Sequence, residues 1–191
     1  MPLNPSIAFA LVLAAFVALP PHSSAAQGVD SSSLRDTREV HLENIRQLSF
    51  SGENAEAYFS SDGTKLIFQS RGQDEGCDQI YTLDLATSQV RQVSTGNGRT
   101  TCSYYYPDGD RILYASTHHW DPVCPPPPDM SQGYVWALYP TSVIFAAKHD
   151  GSDLVQRAGA WGYDAEATFS PVEDLVVFTS VRDGGLEMFT M

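Results

Sequence analysis

The chain has 191 residues, of which 42% are hydrophobic and 11% aromatic, as is typical of a globular protein and not of a disordered one. It contains 11 lysines and arginines against 23 aspartates and glutamates, so its formal net charge is −12. An acidic protein repels phosphate backbones, and this balance therefore disfavours nucleic acid as a partner.

Residues 1–26 have the pattern of a signal peptide. Residues 7–19 form an uncharged apolar run, which is shorter than the roughly 20 residues that cross a bilayer. Two prolines end the run, and the small residues 24–26 favour cleavage after Ala26. Because no Lys or Arg precedes the run, an uncleaved membrane anchor is the alternative. In both cases the rest of the chain is expected in the periplasm or secreted, and cleavage would leave no membrane span.

Residues 27–38 are polar, with three consecutive serines, and are predicted to be a linker. Two short strands are predicted next, at residues 40–42 and 45–48. The fragment Ile45-Arg-Gln-Leu-Ser49 returns as Val90-Arg-Gln-Val-Ser94. This echo indicates a strand that recurs before each new unit of a repeat.

A strand, a tight turn and a second strand occur three times, starting at Ala55, Thr101 and Ala165. The Asp-Gly pairs at 62–63 and 108–109 predict hairpin turns, because these residues accept positive φ. A further strand follows each second strand. Together with the recurring fragment, this gives four short strands per unit, which is the composition of one β-propeller blade.

We therefore expect an all-β fold of four-stranded antiparallel blades over residues 39–191. Blade 1 is predicted at about 53–94, blade 2 at about 99–157 and an incomplete blade 3 at about 163–191. About three blades of a larger ring would then be present in this partial chain. The unpaired edges of the terminal blades are expected to favour self-association.

Residues 118–141 are predicted to be an insertion between the second and third strands of blade 2. The spacing of the repeated aromatic residues is longer between Tyr114 and Phe178 than between Phe68 and Tyr114. The insertion contains a run of four prolines after Cys124, and such a run cannot join a central strand.

These repeats resemble the WD-repeat-like motifs of TolB-like β-propeller proteins. The shared elements are the Ser/Pro-Asp-Gly turn, the apolar triplet with an aromatic residue, the aromatic-x-Ser ending and the Asp150-Gly-Ser152 turn, over residues 40–191. Residues 98–104 and the Cys-Pro-Pro run look like a secreted branch of the family. The third turn departs from the pattern, because Pro171-Val-Glu-Asp174 replaces Pro-Asp-Gly. The resemblance implies a six-bladed ring that binds another protein in the periplasm, and it supplies no catalytic residue.

Three cysteines, Cys77, Cys102 and Cys124, are expected on one face of the propeller, because loops entering innermost strands share a face with loops between strands two and three. One disulfide is predicted among them, since exported proteins form such bonds. A Cys77–Cys102 bond would link adjacent blades, whereas a Cys102–Cys124 bond would fix the insertion to its own blade. Three free thiols are the alternative.

Two groups of residues have the side chains of metal ligands. The first group consists of His118, His119, Asp121 and Cys124. These are residue types that bind zinc, but their spacing matches no recognised zinc motif. A solvated or packed loop is therefore the preferred interpretation. The second is a set of acidic residues expected at the channel mouth: Glu53, Glu56, Asp164 and Glu166. A carboxylate ring would suit calcium, but a solvated rim is preferred, and no cofactor is predicted.

The sequence is rich in aromatic residues, most of which are assigned to the core. Those in the loops form a candidate partner-binding patch: Trp120, Tyr134, Trp136 and Tyr139. No Gly-x-Ser-x-Gly, His-Glu-x-x-His or Gly-Lys-Ser/Thr motif occurs. The sequence thus predicts a non-enzymatic, exported scaffold that binds a protein or peptide through the face carrying the insertion. The alternatives are the propeller gate of a truncated serine peptidase and, with weaker support, a metal-dependent propeller lyase.

Overall fold

The computed structural model describes residues 34–72 and 76–191. The predicted signal peptide and most of the predicted linker lie outside the described residues. The chain divides into two units at residues 47 and 48. The described part of the first unit consists of turns and irregular chain, with a local ion pair between Arg38 and Asp36. Within residues 34–72 and 76–191 there is no helix that is long and apolar enough to cross a bilayer.

The second unit contains three antiparallel sheets, and in each sheet the strands lie side by side in chain order. The first sheet consists of β1 (Glu53–Phe59), β2 (Lys65–Arg71), β3 (Gln79–Asp84) and β4 (Val90–Gln92). The second consists of β5 (Thr100–Tyr105), β6 (Arg111–Ser116), β7 (Val143–Lys148) and β8 (Val155–Ala158). The third consists of β9 (Asp164–Phe169), β10 (Val176–Ser180) and β11 (Glu187–Thr190). The predicted all-β fold of antiparallel, four-stranded blades is confirmed.

The strands predicted at residues 40–42 and 45–48 are wrong for this structure, which has turns and irregular chain there. A short strand needs a hydrogen-bonded neighbour to form. None of the three sheets includes this segment, although its sequence repeats that of β4.

The turns between the first two strands of each sheet use two different devices. In the first two sheets, Gly63 and Gly109 take φ values of 70° and 75°, a conformation that glycine adopts without steric cost. The third turn, which lacks this glycine, is closed by Ser170, whose hydroxyl accepts the backbone N–H groups of Val172 and Glu173. A serine turn thus replaces the Asp-Gly turn in the third sheet.

The core of the unit lies between successive sheets. The interface of the first and second sheets is formed by large buried side chains, among them Ile67, Ile80, Ile112, Tyr114 and Phe145. The interface of the second and third sheets has the same character, with Leu113, Ile144, Ala146, Val176 and Phe178. Burying each large apolar side chain contributes about 1.5–3 kcal/mol. Face-to-face stacking of sheets along the chain is the arrangement of propeller blades.

Candidate functional site

A disulfide fixes the insertion to the first sheet. Cys77, in the loop between β2 and β3, is bonded to Cys124 in the insertion, with Cα atoms 5.6 Å apart. This pairing differs from both bonds considered from the sequence, Cys77–Cys102 and Cys102–Cys124, because Cys102 is buried in β5 as a free thiol. The bond joins neighbouring blades through the insertion.

The base of the insertion is held by Gly98, which has a φ of 61°. Its N–H donates to the carbonyl oxygen of Pro122 at 2.8 Å. A Cβ atom at this position would lie 2.7 Å from the backbone nitrogen of His118. Only glycine therefore permits this close approach of the two chain segments.

The far end of the insertion is held by Tyr139 and Arg99. The Tyr139 hydroxyl donates to the carbonyl oxygen of Pro126 at 3.1 Å, which closes the proline run back on the loop. The Arg99 guanidinium lies 5.7 Å from the centroid of the Tyr139 ring, within the range of a cation–π contact. Arg99 also forms an ion pair with Asp78 of the first sheet's loop. The insertion is thus connected to both blades.

These contacts enclose a cavity of about 320 Å³ beneath the insertion, which we call the insertion cleft. Charged and polar side chains of the two sheets and aromatic side chains of the insertion line it, including Arg71, Asp78, Arg99, Tyr134, Trp136 and Tyr139. Three of the four residues predicted as a binding patch therefore meet in one place. Arg71 and Arg99 were not predicted as residues of the site. The available sequence signal was their position, since Arg71 ends β2 and Arg99 directly precedes β5.

The aromatic residues of the cleft are accessible to a partner. Trp136 is 50% exposed and Tyr134 is more exposed still, although aromatic side chains of this size are normally buried. Arg71 and Glu53 also line the cleft, and they form an ion pair at 2.6 Å. The cleft thus combines exposed aromatic surface with cations whose charges are already balanced by acidic neighbours.

Trp120, the fourth residue of the predicted patch, does not line the insertion cleft. Its ring packs edge-on against Trp161 with centroids 5.2 Å apart. It is 67% exposed. This tryptophan pair forms a separate exposed aromatic feature of the same unit.

A second cavity, of about 260 Å³, lies at the innermost strands, and we call it the axial cavity. Glu56, Cys102 and Glu166 line it, and they occupy equivalent bulges in the three sheets, with φ values of 52°, 47° and 57°. Each bulge interrupts the pairing register of the innermost strand and re-aims one side chain. Trp136 lines both cavities.

The electrostatics of the axial cavity disfavour a reactive thiol. Burial, reinforced by the nearby carboxylates of Glu56 and Glu166, raises the pKa of Cys102 to about 11. The Tyr58 hydroxyl donates to Glu56 at 2.7 Å, and this bond raises the pKa of Tyr58 to about 12. Since the thiolate is the nucleophilic form, Cys102 is protonated and inert near neutral pH.

Of the four acidic residues that were expected together at the channel mouth, the structure keeps only two in one cavity. Glu56 and Glu166 line the axial cavity, whereas Glu53 pairs with an arginine at the insertion cleft. Asp164 is buried, and it pairs with Arg182 at 3.1 Å.

Of the two histidines of the insertion, His118 is placed as a packing residue, whereas His119 is exposed. The His118 ring lies 4.4 Å from the Phe145 ring, and its Nδ1 is 2.7 Å from the Ser116 hydroxyl. Burial, followed by the neighbouring His119, lowers the pKa of His118. Cys124 is in the disulfide, and Asp121 accepts a backbone N–H. Across residues 34–72 and 76–191, no group of three or more His, Cys, Asp or Glu side chains is placed to share a metal ion.

No protein-family model matches the sequence. Solved structures do resemble the fold. A TolB protein from Agrobacterium tumefaciens matches with a TM-score of 0.60 at 19% identity, over 76% of this chain and 48% of that chain. TolB from Acinetobacter baumannii matches with a TM-score of 0.56 at 19% identity, over 75% and 32%. The chain thus spans less than half the length of either protein. These similarities support a TolB-like β-propeller fold.

Proposed function

We propose that this chain is an exported, non-enzymatic scaffold that binds a segment of a partner protein in the insertion cleft. The observation that carries the proposal is the exposed Trp136 and Tyr134 over a cavity of about 320 Å³. Tryptophan and tyrosine dominate the binding energy of protein interfaces, and they do so most when a rigid pocket holds them.

The rigidity of the cleft supports this proposal. The disulfide, the Gly98–Pro122 hydrogen bond and the Tyr139–Pro126 hydrogen bond hold the insertion at three separate points. A preorganised loop loses less conformational entropy when a partner binds. A long loop on a rigid sheet scaffold is also the usual location of binding residues.

The chemistry of the lining indicates the kind of partner. Arg71 and Arg99 each lie beside a carboxylate, so the cleft offers paired charges and not a strong field of one sign. Such a lining suits a mixed peptide segment with apolar side chains that pack against the aromatic residues. A protein or peptide partner is therefore favoured over a small highly charged ligand.

Export is supported by the Cys77–Cys124 bond, because structural disulfides persist in oxidising compartments and are rare in the cytosol. We accordingly place the protein in the periplasm or cell envelope, or outside the cell.

The proposal is tested by selecting peptides from a random display library on the exported wild-type chain and measuring their affinities by calorimetry. Trp136→Ala should weaken binding of the selected peptides at least tenfold, because it removes the aromatic wall of the cleft. The matched control is Trp120→Ala, since Trp120 is also exposed but lies outside the cleft. Failure to enrich any peptide, or equal affinities for Trp136→Ala and wild type, would overturn the proposal.

A further inference from the structure

The axial cavity holds two carboxylates whose charges no cation of the described residues balances. Glu56 lines it from the first sheet and Glu166 from the third, with Cys102 of the second sheet beside them. Neither glutamate takes part in the ion pairs formed within residues 34–72 and 76–191. The cavity therefore carries negative charge, in contrast to the balanced charges of the insertion cleft.

Hydroxyl groups hold both carboxylates in place without neutralising them. The Tyr58 hydroxyl donates to Oε2 of Glu56 at 2.7 Å, and the Thr179 hydroxyl donates to Oε2 of Glu166 at 2.9 Å. An ionised carboxylate accepts about four hydrogen bonds, so each retains capacity for a ligand. The two charges also act on one place, because both add to the effect of burial in raising the pKa of Cys102.

The axial cavity also contains a buried hydroxyl that lacks a partner. Ser103 is 1% exposed and lines the cavity. Its Oγ atom has no hydrogen-bond partner among the described residues. An unpaired buried polar group costs free energy, and nearly all such groups in folded proteins find a partner. A ligand that donates several hydrogen bonds would satisfy this oxygen and the two carboxylates together.

Trp136 connects the axial cavity to the insertion cleft, since its side chain lines both. A segment that packs against Trp136 in the cleft is therefore placed to extend a long side chain into the axial cavity. The face of an indole ring attracts cations, and the stems of lysine and arginine pack well on apolar surface.

We propose that the partner segment in the insertion cleft carries a lysine or arginine, whose cationic end binds Glu56, Glu166 and Ser103 in the axial cavity. This inference rests on the proposed function, and it adds the class of residue required at one position of the partner. The cationic end supplies N–H donors to three acceptors, two of them charged, and hydrogen bonds between ionised groups are the strong ones.

A basic side chain suits the axial cavity better than a metal ion does. A hard cation such as calcium takes about six to eight oxygen ligands. The residues that the structure describes place no group of three or more His, Cys, Asp or Glu side chains around a common point. An ammonium or guanidinium group needs fewer acceptors. The formal net charge of −12 also favours a basic partner.

The test uses the peptides selected on the wild-type chain, which should share a lysine or arginine at one position. Replacing that residue with glutamine should weaken binding to wild type by about tenfold or more in calorimetry, because charge-assisted hydrogen bonds are lost. Glu56→Gln/Glu166→Gln should bind the basic and the glutamine peptides about equally. The matched control is Glu173→Gln, an exposed glutamate that lines neither cavity, and it should keep the wild-type preference.

A second variant separates a ligand-binding role of Ser103 from a structural one. Ser103→Ala removes a hydroxyl that is unpaired within the described residues, so its melting temperature should equal or exceed that of wild type. It should nevertheless weaken binding of the basic peptides by about threefold or more. The affinity of the glutamine peptides should stay the same.

The outcomes distinguish this inference from the function on which it rests. Selected peptides that share no basic residue, or a basic preference that survives Glu56→Gln/Glu166→Gln, would overturn the inference. So would an affinity for basic peptides that Ser103→Ala leaves unchanged. If such peptides still lost affinity with Trp136→Ala, the proposed function would stand without the basic residue. Failure to enrich any peptide would reject both.

Discussion

At the scale of single residues, the disulfide is the contact on which the insertion cleft depends most. The chain between Cys77 and Cys124 spans 47 positions, and a cross-link over a loop of this length is worth about 2–4 kcal/mol, mainly through the unfolded state. The double variant Cys77→Ala/Cys124→Ala should therefore lose about 2–4 kcal/mol of unfolding free energy in urea titrations. It should also bind the selected peptides more weakly.

The control for this prediction is Cys102→Ala, which keeps the disulfide. Reductant should lower the melting temperature of wild type and of Cys102→Ala but not that of the double variant. Equal melting temperatures of wild type with and without reductant would show that the bond contributes nothing to stability.

The sequence could suggest which residues matter, but it could not show which of them pair in the folded chain. The three cysteines were placed on one face, but only their distances show that Cys77 meets Cys124 while Cys102 stays buried in β5. Asp164 illustrates the same limit. Its position before an innermost strand suggested a rim, yet its side chain turns inward to Arg182, a partner 18 residues away.

At the scale of elements, Gly98 sets the position of the insertion, and Gly63 provides a matched comparison. Both have a positive φ, but a Cβ atom would meet nothing within 4 Å at Gly63, whereas at Gly98 it would meet backbone at 2.7 Å. Gly63→Ala should cost about 1 kcal/mol of unfolding free energy, the backbone strain alone. Gly98→Ala should cost at least about 1 kcal/mol more, and should weaken peptide binding.

Chemical denaturation of the two variants gives the comparison directly, and Gly63→Asn serves as a control because asparagine tolerates the left-handed conformation. Gly63→Ala should leave peptide affinity unchanged, since the turn lies outside the insertion cleft. Equal costs for the two alanine variants would contradict a steric role for Gly98.

The strands themselves were largely predictable, because the pattern of a short strand, a turn and a second strand recurs along the sequence, twice with an Asp-Gly turn. Strands β1 to β3 and β5 to β7 lie where that pattern places them. The segment at residues 45–48 failed for a reason outside local sequence: it carries the motif of β4 but belongs to none of the three sheets. A strand is defined by its neighbour, and sequence does not show whether the neighbour is present.

At the scale of the whole molecule, the composition and the repeat were sufficient to predict the architecture. The candidate site could not be predicted, because it depends on the path of the insertion. Residues 118–141 match no other part of the repeat, so the sequence could not show where Trp136 lies relative to the sheets. The structure brings this side chain between the insertion cleft and the axial cavity. The sequence therefore identified residues 118–141 as an insertion, but it did not show which cavities the insertion lines.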